Sequence, residues 1–158
     1  MDRAQGSYRA AWSGCKPLQG NAKDVCQAEA RGAYAVAKAE LEVRRKATPK
    51  NDDKVKTRRA ETALRVASEK CDDLRGNARA VCRKEAKASF VGARSDVRVD
   101  RAAVDQGVNS RALTSERKEA REDTSQAQFT AAKERCDALS GSDKAACLSD
   151  ARKKYGKL

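Results

Sequence analysis

The residues of this chain best suited to chemistry are its six cysteines, which fall into three pairs of identical spacing: Cys15 with Cys26, Cys71 with Cys82, and Cys136 with Cys147. Paired cysteines serve either as metal ligands or as a disulfide framework. Zinc sites set their cysteines two to four residues apart and often add histidine. Ten residues separate each pair here and the chain has no histidine, so the spacing favours three disulfides. Each bridge is worth about 3 kcal/mol if it acts mainly by restricting the unfolded chain. Such bonds persist in exported proteins and are rare in the cytosol.

Little else points to catalysis. Nucleophile triads need a base, most often histidine, and no phosphate-binding glycine loop or dinucleotide fingerprint is present. Glu29, Glu85 and Asp150 recur three residues after the second cysteine of each pair. An acid early in a helix is favoured by the macrodipole, which accounts for them without a carboxylate site. Thin alanine-lined hairpins also offer little of the cleft that paired carboxylates need. The expectation is a protein that is not an enzyme, with no cofactor, catalytic residue or metal ligand.

The cations are the remaining candidates. Lys23, Arg79 and Lys144 stand in the first turn of a helix, where a cation is mildly unfavourable and an anion is welcome. A salt bridge to Asp72, Asp73 or Asp137 across the tip is the simpler reading. Arg44, Arg45 and Lys46, followed by Lys50, Lys54, Lys56, Arg58 and Arg59, are opposed only by Asp52 and Asp53. Arg94, Arg98 and Arg101 add a basic stripe further on. A solvated face is the default for each group. A net charge of +12 nevertheless attracts anionic polymers and lipid surfaces.

These residues are positioned by a repeat. Cys15-x2-Leu18-x-Gly20-x5-Cys26 returns as Cys71-x2-Leu74-x-Gly76-x5-Cys82 and as Cys136-x2-Leu139-x-Gly141-x5-Cys147. Each copy reads as a helix, a turn and a helix. Gly20, Gly76 and Gly141 suit the left-handed position that ends a helix. Asn21, Asn77 and Ser142 then suit the N-cap of the next helix, and Leu18, Leu74 and Leu139 can plug the tip. Pro17, present only in the first copy, is expected to distort the last turn before it.

Flanking positions extend the pattern. Ala11, Ala67 and Ala132 stand four residues before the first cysteine, and Ala30, Ala86 and Ala151 four after the second. Tyr8, Leu64 and Phe129 lie seven before, and Tyr34, Phe90 and Tyr155 eight after. Folded about its tip, each copy places Cys against Cys, Ala against Ala, and a large apolar or aromatic side chain against an aromatic one. Alanine permits the close backbone approach that a disulfide requires.

Composition agrees. Alanine, lysine, arginine and glutamate are strong helix formers, and 37% of residues are charged. The fold class is therefore all-α: three consecutive disulfide-stapled helical hairpins, about six helices, in an elongated or bundle-like up-down arrangement. Helices are predicted over 3–18, 21–46, 52–74, 77–105, 115–139 and 142–156. The chain then forms a single unit over 1–158 with hairpins at 3–46, 52–105 and 115–156. No stretch approaches the roughly 20 apolar residues of a membrane span.

The repeated Cys-x2-Leu-x-Gly-Asn-Ala-Lys/Arg-x-Val-Cys-x2-Glu-Ala-Lys/Arg, with Ala-Lys-Ala-Glu-Leu-Glu after its first copy, resembles a group of small exported β-proteobacterial Ala/Lys/Glu-rich proteins. Some of these carry a "cell envelope biogenesis protein, TolA-like" label. Pro17 and Ser142-Asp143 depart from the group's pattern. The resemblance implies a periplasmic or secreted protein whose signal peptide has been removed; no signal-peptide h-region is visible, and Met1-Asp2-Arg3 is read as a start placed before a mature domain. It supplies no functional residues. The expected function is that of a non-enzymatic structural or interaction protein of the periplasm, envelope- or stress-associated, with an unknown protein or envelope component as partner. The alternative is a non-specific binder of nucleic acid, lipopolysaccharide or anionic lipid, with salt-dependent affinity. Long helices with weak apolar seams can also pair between chains as oligomers.

Overall fold

The computed structural model describes residues 2–156; Met1, Lys157 and Leu158 lie outside the described residues. The described chain is helical from end to end: α1 Asp2–Gly14, α2 Gly20–Arg45, α3 Pro49–Lys70, α4 Gly76–Gln106, α5 Arg111–Cys136 and α6 Gly141–Tyr155, with a 3₁₀ turn at Cys71–Asp73 after α3. No helix is long and apolar enough to cross a membrane. The chain packs as two units, Met1–Asp73 and Leu74–Leu158, so the second repeat is divided between them.

In the first unit α1 and α3 both pack on α2, and in the second α4 and α6 both pack on α5. The first unit is organised by the two faces of α2. Ala28, Gly32 and Ala39 fall on one face of its helical turn, while Ala30 falls on the opposite one. The first face receives α3, whose Val55 and Ala60 are buried. It comes so close that a Cβ on Gly32 would lie 2.1 Å from Thr62 Cγ2. The other face receives α1. The second unit is built similarly, with Ala88 and Ser95 of α4 and Leu113, Ala120, Ala131 and Ala132 of α5 buried. Among the described residues, the buried apolar side chains are alanine and cysteine, apart from Val55 and Leu113.

The turn glycines are left-handed as expected, with φ of 53°, 54° and 55° at Gly20, Gly76 and Gly141. The caps differ from expectation. The helical ladder already starts at the carbonyl before the glycine, where Arg75 O accepts from Arg79 N at 3.4 Å. Gln19, Arg75 and Ser140 therefore hold the cap positions, and Asn21, Asn77 and Ser142 lie inside the first turn. The leucines also differ. Leu18, Leu74 and Leu139 remain 37%, 39% and 43% exposed, so they roof the tips only partly.

Two helices, α3 and α5, begin three and four residues earlier than predicted. Thr48 accepts from Asn51 N at 3.2 Å and Pro49 takes the first helical position of α3. Ser110 accepts from Leu113 N at 3.1 Å in the same way at the start of α5. Both residues end a break and start a helix at once.

Candidate functional site

The cysteines are all in disulfides. Cys15–Cys26 and Cys136–Cys147 have Cα separations of 5.6 and 5.7 Å, and neither Cys71 nor Cys82 is a free thiol. Of the two stapled pairs that lie within one unit, α5–α6 shows the predicted seam, and α1–α2 shows it in part, since Ala11 stays exposed. Between α1 and α2 it runs from the bridge past buried Ala30 to Tyr8 and Tyr34, whose rings are 5.0 Å apart. Between α5 and α6 it runs past buried Ala132 and Ala151, and Phe129 and Tyr155 line a common groove. Leu64 belongs to the first unit and Phe90 to the second.

The recurring carboxylates take a structural place. Glu29 pairs with Lys70 at 3.3 Å and Glu85 with Arg135 at 2.6 Å. These are one interaction repeated, since each acid stands three residues after a second cysteine and each base just before the next first cysteine. Asp150 pairs within its own helix with Lys153 at 3.4 Å. Among the described residues no three histidine, cysteine or carboxylate side chains gather as a metal site.

The tip cations diverge. Lys144 meets Asp137 at 2.8 Å, and the hydrogen bond and charge of that lysine hold the Asp137 carboxyl below its ordinary range. Arg79 donates through Nε to the Leu74 carbonyl at 2.7 Å. Lys23 has no ion-pair partner among the described residues, because Lys16 stands where Asp72 and Asp137 stand in the other copies. The first-turn amides differ too. Asn77 Nδ2 donates to Glu134 O at 2.8 Å, tying α4 to the end of α5, whereas Asn21 Nδ2 is buried without an acceptor.

Most of the other basic candidates serve as braces. Lys54 meets Glu42 at 2.6 Å and Arg59 meets Glu40 at 2.8 Å, which continues the acid–base line between α2 and α3 begun by Glu29–Lys70. Lys54 lowers the Glu42 pKa, chiefly by its hydrogen bond. Arg58 pairs with Glu61 at 2.7 Å, and Lys56 also has a partner. Arg98 holds α4 to α5 through Glu116 at 3.0 Å and Asp123 at 2.7 Å. Arg101 meets Asp105 at 2.6 Å, and Arg94 lies 5.8 Å over the Phe90 ring. Arg44, Arg45, Lys46 and Lys50, around the α2–α3 turn, form no ion pair among the described residues.

Concavity is the feature that the spacing of the residues did not predict. A groove of about 590 Å³ lies along α1 and α2. Ala4, Tyr8 and Ala11 form one wall, and Ala30, Tyr34, Ala37 and Leu41 the other. Arg3, Glu40 and Arg44 also border it, with Glu40 held by Arg59. The antiparallel pairing of Tyr8 with Tyr34 puts Arg3 and Arg44 toward the end away from the Cys15–Cys26 bridge. A volume of a few hundred cubic ångström with mostly apolar walls and few charged groups is the form that small-molecule sites take. The sequence signal for it was Ala30, Tyr34, Ala37 and Leu41 at helical spacing, which reads equally well as core. No family model matches the chain, nor does any curated protein or solved structure.

Proposed function

We propose that the protein is a non-enzymatic binding protein of an oxidising compartment, the periplasm in a bacterium, and that it presents the α1–α2 groove to an apolar ligand or partner. The observation that carries this reading is the groove itself. It is a mostly apolar trough whose lining runs about 12 Å along α1, from Arg3 to Ala11, and about 20 Å along α2, from Ala30 to Arg44, at 1.5 Å per residue. It lies in a helix pair fixed by a covalent bridge, so its walls are preorganised. Three disulfides are consistent with an oxidising environment. The uncharged dye N-phenyl-1-naphthylamine tests the groove directly. Its fluorescence should rise and saturate with native protein and fail to rise with Ala37→Phe, which fills the trough. A dye signal indifferent to that substitution would refute the reading.

A second reading rests on Arg44, Arg45, Lys46 and Lys50, the cations around the α2–α3 turn that form no ion pair among the described residues. They support weak binding of a polyanion such as nucleic acid, lipopolysaccharide or an anionic lipid surface. DNA retardation and lipopolysaccharide co-sedimentation at low salt check it, and no retention at low salt removes it.

A further inference from the structure

We propose that the α1–α2 groove is a site for a long-chain fatty acid, with the alkyl chain along the alanine and tyrosine walls and the carboxylate at Arg3 and Arg44; this rests on reading the groove as a binding site. The choice of occupant follows from where the charges are. The opposite face of α2 shows how this protein receives a helix, with small residues along the seam and acid–base pairs along its length. Those pairs are Glu29–Lys70, Glu40–Arg59 and Glu42–Lys54. Among the described residues the groove face has no such line. Its walls are mostly alanine, tyrosine and leucine, with Ser7 among them, and the charged residues that border it, Arg3, Glu40 and Arg44, lie toward one end. A ligand that is apolar along its length and charged at one end matches that distribution, and a docked helix with charges spaced along it does not.

The head group follows from the same residues. Arg3 and Arg44 make no ion pair among the described residues. Their guanidinium groups are planar donors suited to a carboxylate. Glu40 also borders the groove, which opposes a dianionic head more than a singly charged one. The alanine walls leave a trough between only two helices, suited to one chain rather than two. Its lining along α2, about 20 Å from Ala30 to Arg44, favours a long chain over a short one.

Trp12, the only tryptophan, lies 5.7 Å from Tyr8 and reports on the groove. The experiment titrates the oxidised full chain with 9,10-dibromostearate below its micellar concentration and follows quenching of Trp12. Saturable quenching at one molecule per chain is expected. The methyl ester should bind at least tenfold more weakly, and Arg44→Glu should weaken the acid at least fivefold. Ala37→Phe should abolish quenching while helicity and the disulfide map stay native. From ten to sixteen carbons, affinity should rise roughly threefold or more for every two carbons.

Unsaturable quenching, an ester that binds as well as the acid, or quenching indifferent to Ala37→Phe would each overturn the proposal. So would tighter binding of dodecyl phosphate or phosphatidylglycerol vesicles. Self-association abolished by Ala37→Phe would assign the groove to a second copy instead. If N-phenyl-1-naphthylamine binds in the groove and the fatty acid does not, the groove survives as a binding site and the fatty acid falls. Failure of both removes the groove reading as well.

Discussion

Asn21 and Asn77 occupy one position of the repeat, yet only Asn77 finds a carbonyl, Glu134 O at 2.8 Å. An unsatisfied buried amide costs free energy that a satisfied one does not. Asn77→Ala should therefore destabilise the protein by about 1 kcal/mol, whereas Asn21→Ala should be neutral or stabilising. Chemical denaturation of the two variants checks the contrast. Lys144 and Asp137 provide a pH handle. The Asp137 carboxyl is held below its ordinary range by Lys144. The stability it contributes is thus present above the ordinary carboxylate pKa and lost as pH falls through the lowered one. Lys144→Ala should return the Asp137 titration, followed by carboxyl NMR, to the ordinary range and remove that part of the acid sensitivity. At this scale the sequence named the right positions. The salt bridge expected across the tip forms between Lys144 and Asp137, and the first copy differs because Lys16 stands where Asp137 stands in the third.

Between elements, closeness of approach is the controlling quantity. A Cβ on Gly32 would meet Thr62 Cγ2 at 2.1 Å, while a Cβ on Gly92 has Thr124 Cγ2 at 3.7 Å as its nearest neighbour. Gly32→Ala should cost about 1–3 kcal/mol by overpacking, and Gly92→Ala should stabilise by up to about 1 kcal/mol through helix propensity. Thermal melts of the pair distinguish a tight helix crossing from an ordinary one. The six helices and their breaks were legible because glycine, proline and the cysteine spacing punctuate the chain. Two starts were missed because Thr48 and Ser110 cap helices that begin directly after them. With the second of these, Leu113 was missed, although it is fully buried. The tight α2–α3 seam was also hidden, since its small residues do not stand out in a chain this rich in alanine.

For the molecule as a whole, the packing departs from the repeat. Sequence similarity cuts the chain into three copies, whereas packing divides it into Met1–Asp73 and Leu74–Leu158. Repeats record spacing, and packing follows which helix faces are complementary; the braces Glu29–Lys70 and Glu85–Arg135 join the end of one copy to the start of the next. Residues 74–158 carrying Cys82→Ser should therefore remain helical and unfold cooperatively, as followed by circular dichroism. A featureless melt would show that this unit needs the rest of the chain.

The disulfides are also unequal at their two ends. Cys15, Cys71 and Cys136 are essentially inaccessible, at 1%, 0% and 0% exposure, while Cys26, Cys82 and Cys147 are half-buried. Thiol–disulfide exchange needs an incoming thiolate to reach one sulfur while the other departs. Attack should therefore fall on the second cysteine of each pair and leave the first as a departing thiolate shielded from water. Burial disfavours the anion and so slows the exchange. Resistance to small-molecule reductants would then be kinetic in origin. Trapped mixed disulfides should map to Cys26, Cys82 and Cys147 rather than to their partners.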